Sequence, residues 1–503
     1  NVERATTLTI TNTLNYNKTF QNDHSIHVLG GQEALKIKRT GLYASASGYP
    51  DGVVELENAA KPTGASSSLD ESAMVSFFSK IEYNYAQKYY LSGSLRYDGS
   101  SRFGVNKRWA PFWSLGARYR ISNEAFMEGT SSWLDDLTIK GSYGTVGNQD
   151  IGYYAAQGYY RYGYTYNNRP GAILYQFENP NLSWEKGAKA NIGFNASLFH
   201  RLNIEVDMYD DKTKDMIFEV PVSYTTGLSN ILQNAGEMQN RGIEFLVNAN
   251  ILKYKDFTWD VRLTGTANRN KILKLSTDKP IEGTTSIRKV GEPYYSFYLP
   301  EYAGVNPDTG EAQWYKGTEG SELTTDINEA GQRIVGSADP KFYGGFGMNF
   351  TLKNFDFSFD ANYTLGNKVY NSGFSYDMQV GHYYFGPVSN YVYENAWRNP
   401  GDVTDVPRFI FGDASNANEH SSRFLMDGSY LRIKSASLGY TLPKNIVNRI
   451  HIDNLRVYVS ADNLFTITAK DYIGFDPQTR ANGVQSWAYP VPTNIVCGIN
   501  LSF

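Results

Sequence analysis

The chain has 503 residues, 15% of them aromatic, with 39 tyrosines and 46 glycines. A formal net charge of −4 gives no indication of a nucleic-acid-binding protein, and the single Cys497 excludes a disulfide framework and a CxxC zinc site. Mean hydropathy is −0.45 and no apolar run is long enough for a membrane-spanning helix, which excludes a helical membrane protein but leaves a β-barrel open, because only every second barrel residue faces lipid.

From the N-terminus onward, segments of alternating apolar and polar residues predict β-strands. Residues 5–16 form the first segment, residues 113–121 belong to a later one, and residues 256–268 and 355–365 continue the pattern. Counted in this way, the chain contains about fifteen strands of roughly 11–14 residues. Strands of this length exceed ordinary globular strands and suit a tilted crossing of a membrane.

Charged residues occupy the middle of the polar faces. A sandwich strand would point such residues to solvent, whereas a wide barrel points them into a wet lumen and keeps its other face apolar along its full height. The apolar faces of these strands favour the barrel. The charged residues concerned are Arg118, Arg120, Lys140, Lys189, Glu205, Asp207, Arg262 and Asp360.

The predicted connections alternate between short and long. The tight links are residues 86–87, 200–201, 252–255 and 353–354, and the intermediate ones are 122–135 and 443–453. The long connections are residues 39–72, 148–185, 213–239, 269–340 and 368–427. Short turns on one side and long loops on the other are typical of outer-membrane barrels, with the turns on the periplasmic side.

The last predicted strand, residues 491–503, alternates between an apolar and a mostly polar face and ends on Phe503. When strand directions are assigned backward from this last strand, the strand at residues 5–16 starts on the long-loop side. We therefore expect a further strand before it. The odd number of strands leads to the same expectation, because single-chain bacterial barrels have an even number. We therefore expect the chain to be the C-terminal part of a longer one. A miscount of one strand is the alternative.

Seven short motifs follow one another along the chain. They are residues 98–104 (DGSSRFG), 147–151 (GNQDI), 179–185 (NPNLSWE), 240–244 (NRGIE), 291–293 (GEP), 428–434 (GSYLRIK) and 461–466 (ADNLFT). In their order and spacing, they resemble the SusC/RagA family of TonB-dependent outer-membrane transporters. The resemblance covers nearly the whole chain.

The resemblance implies an all-β fold, an antiparallel transmembrane β-barrel of outer-membrane type with about 15 of roughly 22 strands in this chain. Residues 1–503 are expected to be the C-terminal part of that barrel with long extracellular loops, and the plug domain is expected to be absent. The implied activity is TonB-dependent import of oligosaccharides or oligopeptides across the outer membrane of a Gram-negative, Bacteroidetes-type bacterium.

The implied partners are a SusD-like surface lipoprotein, TonB acting through the missing N-terminal part, outer-membrane lipid and the barrel assembly machinery. Phe503 is the implied assembly signal. No nucleic acid is expected. Glycan and peptide importers share the scaffold, so the choice between these substrates stays open.

Tyrosines cluster in two of the long loops. Their rings suit stacking on the apolar faces of sugars, and neighbouring Asn, Asp and Arg side chains suit hydrogen bonds to hydroxyl groups, so the clusters are predicted to line an outer binding cavity. An interfacial aromatic girdle, or packing against a partner, is the alternative. The predicted substrate-binding residues are Tyr159, Tyr160, Tyr164, Tyr166 and Arg169 in the first loop and Tyr383, Tyr384 and Trp397 in the second.

Other features have simpler interpretations. Residues 306–311 (NPDTGE) resemble a calcium loop but lack its full ligand series, so a β-turn is favoured and no metal or other cofactor is predicted. A membrane-interface girdle is predicted for the aromatic residues near strand ends. These are Trp109, Trp113, Trp133, Phe257 and Trp259.

The chain is not predicted to be an enzyme, because its six histidines form no HExxH motif and no GxSxG motif occurs. Two other functional classes stay open. One is a passive porin or a β-rich surface adhesin, which would work without an energy partner. The other is an outer-membrane hydrolase, against which the absence of a Ser/His/Asp or paired-carboxylate constellation counts.

Overall fold

The computed structural model describes residues 1–21, 23–276, 279–383, 386–413, 415–474 and 476–503. The chain divides into two compact units. The first consists of Asn1–Gly129, Thr138–Gly193 and Asp210–Met238, and the second of Thr130–Leu137, Phe194–Tyr209 and Gln239–Phe503.

β-Strands dominate the described residues. In chain order they are β1 (Val2–Phe20), β2 (His24–Ser47), β3 (Lys61–Tyr85), β4 (Tyr89–Ser100), β5 (Trp109–Arg120), β6 (Leu134–Asn148), β7 (Tyr159–Tyr166), β8 (Arg169–Gln176), β9 (Glu185–Leu198), β10 (Leu202–Pro221), β11 (Asn230–Tyr254), β12 (Phe257–Lys274), β13 (Ile281–Glu282), β14 (Ser286–Arg288), β15 (Ser296–Pro300), β16 (Tyr302–Val305), β17 (Ala312–Tyr315), β18 (Leu323–Thr324), β19 (Gln332–Ser337), β20 (Phe342–Leu352), β21 (Phe355–Leu365), β22 (Lys368–Asn371), β23 (Leu425–Asp427), β24 (Tyr430–Thr441), β25 (Asn454–Thr468), β26 (Val484–Gln485) and β27 (Asn494–Ser502).

Helices are short. The α-helical turns are α1 (Phe374–Asp377), α2 (Asn390–Asn395) and α3 (Lys444–Val447), and the 3₁₀ turns are Leu56–Asn58, Ile121–Asn123, Ala125–Thr130, Tyr224–Thr226, Ser422–Phe424 and Asn448–Ile450. No helix in the described part of the chain has both the length and the apolar character that a membrane span requires.

The main sheet contains 15 strands in the order β1-β2-β3-β4-β5-β6-β9-β10-β11-β12-β20-β21-β24-β25-β27. Each strand of this sheet therefore lies beside its neighbour in the sequence, with the short loop strands skipped, which is the pattern of an antiparallel meander. The prediction of about fifteen strands in an all-β, antiparallel fold is confirmed. The remaining strands form four small sheets within the long connections.

Two aromatic rows mark the ends of the apolar face on β4 and β5, in the first unit. At one end the rings of Tyr97 and Trp109 stack with centroids 5.1 Å apart. At the other end the rings of Tyr89 and Tyr119 stack at 5.0 Å. Aromatic rows at both borders of an apolar band are what a membrane-spanning strand presents to the two interfaces. The position of Trp109 agrees with the predicted girdle.

Between these rows, the apolar face carries exposed aliphatic side chains, and Trp113 lies among them opposite Leu95 and in neither aromatic row. Leu91, Leu95 and Leu115 are 56%, 54% and 62% exposed. A contiguous exposed apolar surface is rare on soluble monomers and marks a membrane or protein interface. On a strand whose ends carry aromatic rows, lipid is the environment that matches this surface.

The polar faces carry the predicted charges, which meet partners on neighbouring strands. In the first unit, the Arg118 guanidinium lies 3.9 Å from the centre of the Tyr90 ring. In the second unit, Arg262 Nη2 donates to Asp360 Oδ1 at 2.8 Å. On β5, Arg118 lies on the face opposite that of the exposed Leu115, which is the polar-in, apolar-out arrangement of a barrel wall.

Two of the predicted long loops are wrong in extent. The ladder of β2 and β3 continues through the predicted loop at residues 39–72, and it pairs Arg39 with Asp70 and Ser47 with Lys61. In the same way, β10 reaches Pro221 and β11 begins at Asn230, inside the predicted loop at residues 213–239. Where both faces of a hairpin meet water, side chains need not alternate, so periodicity cannot detect such strand extensions.

The predicted long connections at residues 148–185, 269–340 and 368–427 are confirmed, since they join β6 to β9, β12 to β20 and β21 to β24, although β12 continues to Lys274 and the second connection is shorter than predicted. In the second unit, the latter two connections and the one after β25 build a hydrophobic core of their own. Its fully buried members are Phe297, Leu299, Trp314, Tyr370, Val380, Val392, Val406 and Phe424. These loops are therefore folded bodies rather than open chain.

Candidate functional site

A cleft of 760 Å³ lies in the first unit between the β7–β8 hairpin and the turn that joins β10 to β11. We call it the hairpin cleft. The side chains that matter for its chemistry are Tyr159, Arg161, Tyr164 and Tyr175 on the hairpin and Glu219 and Asn230 on the opposite wall. A concave site of this size with aromatic and polar groups is typical of a ligand-binding site.

The shape of the β7–β8 hairpin is set by the turn at its tip and by a bulge in β7. Asn167 and Asn168 form the two-residue turn with φ angles of 48° and 58°, as a type I′ turn requires, and asparagine tolerates this conformation. Gly163, with φ at 95°, is the extra residue where the strand register shifts. The bulge brings Tyr164 onto the side of the strand that carries Arg161.

The hairpin separates the tyrosines that sequence analysis grouped together. Tyr159 and Tyr164 line the hairpin cleft, whereas Tyr160, Tyr166 and Arg169 lie on the same hairpin outside it. The clustering in sequence located the hairpin, but the assignment of each side chain depends on strand alternation and on the bulge.

An aromatic surface lies on the cleft side of the hairpin, with Tyr175 at its centre. The centroids of the Tyr159 and Tyr175 rings are 5.2 Å apart, and the Arg161 guanidinium lies 4.0 Å from the centre of the Tyr175 ring. Sequence analysis missed Tyr175 and Arg161. Recognition of Asn167–Asn168 as a hairpin turn would have placed β8 opposite β7 and brought Tyr175 near Tyr159.

The opposite wall of the hairpin cleft supplies hydrogen-bonding groups. Asn230 Nδ2 donates to Glu219 Oε2 at 2.9 Å, which holds this carboxylate at the cleft. A carboxylate oxygen accepts hydrogen bonds from hydroxyl or amide donors. The cleft thus combines an aromatic surface on one wall with acceptors on the other.

Three of the sequence motifs meet beneath this cleft. From the 98–104 motif, Arg102 Nη1 donates to the carbonyl oxygens of Gln149 and Ile151 in the 147–151 motif, at 3.1 and 2.9 Å. Gly104 N donates to the carbonyl oxygen of Leu182 in the 179–185 motif at 2.9 Å. Gly104 has no room for a side chain, because a Cβ there would lie 2.2 Å from the Pro180 carbonyl oxygen.

Trp184 is the centre of this motif assembly. Its ring centroid lies 4.6 Å from that of Phe103 and 5.5 Å from that of Phe112, and Nε1 donates to the Arg108 carbonyl oxygen at 2.8 Å. The indole is 2% exposed. A buried tryptophan with its N–H satisfied stabilises the surrounding loops. Asn179, at the start of the same motif, lines the hairpin cleft.

Two asparagines connect this assembly to the other wall. Asn179 Nδ2 donates to the Leu232 carbonyl oxygen at 2.9 Å. Asn234 accepts from Ser183 N at 2.8 Å and donates to the carbonyl oxygens of Ser183 and Asp215 at 2.9 and 2.8 Å. The floor of the hairpin cleft is therefore hydrogen-bonded to the segment that carries Asn230.

In the second unit, the predicted residues of the other loop take different positions. Tyr383 stacks on Tyr376 with centroids 4.8 Å apart, and Trp487 meets Tyr376 edge-on at 6.1 Å. Trp397 donates its indole N–H to the Pro307 carbonyl oxygen at 2.9 Å, so its ring is used in loop packing. Tyr384 lies outside the described residues.

Burial and charge set the ionisation of the loop body of the second unit. Tyr391 OH donates to Asp405 Oδ1 at 3.0 Å. Burial and the Asp405 carboxylate raise the pKa of Tyr391 to about 12. Arg423 is bound by backbone carbonyl oxygens, donating to Ala417 at 2.8 Å and to Met378 at 3.1 Å. These groups stabilise loop conformation.

Residues 306–311 form the turn between β16 and β17, as favoured from the sequence. Asn306 N donates to the Glu311 carbonyl oxygen at 2.8 Å, and Asn306 Oδ1 accepts from Asp308 N at 2.9 Å. Among the residues that the structure describes, no three histidine, cysteine, aspartate or glutamate side chains are placed to share a metal ion.

Comparison with known proteins identifies the relatives of this chain. The family model described as TonB dependent receptor-like, beta-barrel matches residues 2–464. TonB-dependent receptor P3 of Formosa agariphila is 32% identical over 99% of this chain and 53% of its own length. TonB-dependent receptor SusC of Bacteroides thetaiotaomicron is 29% identical over 96% of this chain and 48% of its own length. The chain thus spans about half the length of these relatives.

Solved structures give the same result for the fold. A chain of the RagAB peptide transporter matches with a TM-score of 0.89 and 31% identity, over 100% of this chain and 56% of that one. The outer membrane transporter YddB of Escherichia coli matches with a TM-score of 0.50 and 9% identity, over 92% of this chain and 50% of that one, which concerns the fold alone.

Proposed function

This chain belongs to the TonB-dependent receptor family, with a barrel of the SusC/RagA type, and from that membership we propose that it forms the barrel part of a transporter for oligosaccharides or oligopeptides across the outer membrane. The observation that carries this proposal is the exposed apolar face bordered by aromatic rows, with charges on the opposite face. Such a wall fits a polar path through lipid. The family assignment also confirms the prediction that the chain is not an enzyme.

The proposed route begins at the hairpin cleft. Substrate would rest its apolar surfaces on Tyr159 and Tyr175 and donate hydrogen bonds to Glu219, which makes the cleft an outer binding site on the way to the polar lumen. Sugars and peptides both offer such surfaces and donors. Tyr164 would extend the aromatic wall.

The proposed partners follow from the relatives. A solved relative is the RagAB peptide transporter, a name that denotes two components, and we take a SusD-like surface lipoprotein as the second component here. TonB would supply energy through a part of the protein outside this chain. The barrel assembly machinery would read the C-terminal strand with Phe503, and the location would be the outer membrane of a Bacteroidetes-type bacterium.

The test is to delete the gene in its host and to purify the native complex from the wild type. Mass spectrometry of what co-purifies identifies the substrate, and uptake of that substrate is then measured in both strains, with and without a protonophore. We expect uptake to require the gene and to stop with the protonophore. Gene-dependent uptake that continues after energy depletion would instead identify a passive porin, and unchanged uptake in the deletion strain would favour an adhesin.

A further inference from the structure

We propose that Gln176 is a positioning residue that fixes the β7–β8 hairpin as one wall of the hairpin cleft. The consequence for uptake rests on the function proposed above, whereas the positioning itself is a property of the protein alone. The inference starts from how little else holds this hairpin.

The β7–β8 hairpin is almost free of support along its length. All eight residues of β7 are exposed, and so are most of those of β8. Across the described chain, no hydrogen bond or ion pair joins residues 159–175 to any residue outside the hairpin. A two-stranded hairpin without a packed face is marginally stable by itself, so its direction has to be set at its base.

Gln176 supplies that connection at the base. Its side-chain nitrogen Nε2 lies 3.0 Å from the carbonyl oxygen of Tyr154, 2.9 Å from that of Ala155 and 2.7 Å from that of Gln157. An amide group has two N–H donors, so three acceptors share them. The side chain is half-buried, which strengthens these hydrogen bonds relative to those at an open surface.

The segment that accepts these hydrogen bonds is itself anchored. Ala155 and Ala156 are each 5% exposed and pack with the fully buried Leu182, which belongs to the 179–185 motif. Gln176 therefore ties the end of β8 to the packed floor of the hairpin cleft. The backbone bond from Asn179 N to the Ala156 carbonyl oxygen, at 2.9 Å, closes the base but leaves the tilt of the strands open.

The same residue lies next to the aromatic surface of the cleft. Gln176 pairs with Tyr159 across the hairpin, and Tyr175 precedes it in β8. A rotation about the base would move Tyr159, Tyr175 and Arg161 together, because the Tyr175 ring contacts both of the other side chains. The hydrogen bonds of Gln176 thus set the distance between the aromatic wall and the wall that carries Glu219.

The test measures the position of the hairpin without any ligand. In the full-length protein in outer-membrane vesicles, with Cys497→Ser, spin labels are placed by Tyr166→Cys at the hairpin turn and Tyr224→Cys on the other wall. These sites are 85% and 83% exposed, so labels there disturb no packing. The distance distribution between the two labels reports the tilt of the hairpin.

Gln176→Met keeps the size of the side chain but removes its donors, and Gln176→Glu places a carboxylate against the three carbonyl oxygens. Both substitutions are expected to broaden the distance distribution. If one variant fails to assemble, the other still tests the proposal. Gln176→Lys offers three N–H donors to the same acceptors and is expected to keep the distribution narrow. Narrow distributions in Gln176→Met or Gln176→Glu, or a broad one in Gln176→Lys, would overturn the proposal.

Trypsin provides a second measurement, because Arg161 lies on the hairpin. We expect cleavage after Arg161 to become about tenfold faster in Gln176→Met than in the wild type, since the loss of hydrogen bonds at the base raises local opening. Equal cleavage rates would contradict the positioning role. Uptake separates the two proposals: a broadened hairpin with unchanged uptake would leave Gln176 as the positioning residue and would refute the role of the cleft in transport.

Discussion

Tyr175 is the central residue of the aromatic surface in the hairpin cleft. Its ring contacts the Tyr159 ring and lies beneath the Arg161 guanidinium. Composition could not identify this residue. The chain has 39 tyrosines, and what distinguishes Tyr175 is its place at a shift of the strand register, next to Gln176, which pairs with Tyr159. The pairing register of β7 and β8 thus decides which side chains face the cleft. In the sequence, only the turn and bulge residues indicate this register.

Replacement of Tyr175 by alanine is expected to weaken binding of the co-purifying substrate. The loss of the ring on which the substrate is proposed to rest removes about 1 kcal/mol of binding free energy, which corresponds to a roughly fivefold higher half-saturating concentration for uptake. The matched control is Tyr162→Ala, since Tyr162 lies on the same hairpin, is 78% exposed and does not line the cleft. Equal effects of the two substitutions would argue against the cleft as the binding site.

The loop body of the second unit is expected to lose stability in alkaline solution. The pKa of Tyr391 rises from 10.0 to about 12 in the folded state, so between these values the unfolded chain has released a proton that the folded chain keeps. Stability is therefore complete below about pH 10 and falls as pH rises toward 12. Burial also raises the pKa of other loop tyrosines, with the same sign. They are Tyr302, Tyr370 and Tyr472.

The measurement is the unfolding midpoint of the full-length protein, followed by fluorescence from about pH 8 to about pH 11.5. Tyr391→Phe cannot ionise, so we expect a shallower decline than in the wild type. It also lacks the hydrogen bond to Asp405, so its midpoint at pH 8 should be lower. A midpoint that is constant across this range would contradict the assigned role of these tyrosines.

Elements that cross the apolar band could be predicted from sequence, and elements outside it could not. Between its aromatic rows, β5 alternates because one face meets the apolar surroundings, and the periodicity of residues 113–121 therefore predicted the strand. The outer parts of β2 and β3 pair Arg39 with Asp70 where both faces are polar, so their ladder left no pattern. The β7–β8 hairpin was detected only as a run of tyrosines.

Replacement of residues 159–176 by a short Gly-Ser linker is expected to abolish high-affinity binding of the co-purifying substrate while the barrel still assembles. The hairpin is a separate two-stranded sheet, and its base is narrow, since a Cβ on Gly158 would lie 3.1 Å from Glu178 N. Heat-modifiable mobility on a gel measures assembly, and substrate binding is measured on the same vesicles. Loss of assembly would show that the hairpin has a structural role that its exposure does not indicate.

At the scale of the whole molecule, the resemblance first recognised in seven short motifs is confirmed by the family model over residues 2–464. Three of those motifs meet around Trp184, so they are linked by packing rather than by chemistry with a ligand. Motifs of this kind identify a family well and a substrate poorly. The choice between glycan and peptide depends on cleft residues such as Arg161 and Glu219, which lie outside the motifs.

The two faces of the sheet should differ in how much stability they lose on the same substitution. Leu115→Arg places a charge in the apolar band and is expected to destabilise the assembled protein by about 2–4 kcal/mol. The neighbouring Ser114→Arg points to the polar face, where Ser94 is its partner at 2.6 Å, and is expected to cost about 1 kcal/mol or less. Urea unfolding of the full-length protein in lipid vesicles measures both. Similar losses would contradict the assignment of the faces.

The separation of the aromatic rows has a consequence for hydrophobic matching. Tyr89 and Tyr97 are eight residues apart on β4, which corresponds to about 27 Å along the strand and, at the tilt typical of barrels, to a height of roughly 20 Å. A hydrocarbon layer thicker than that would have to thin around the protein, at an energetic cost for every ångström of mismatch. Bilayer thickness would therefore help to sort this protein, since a bacterial outer membrane is thinner than average and fits these rows better than a thicker bilayer does.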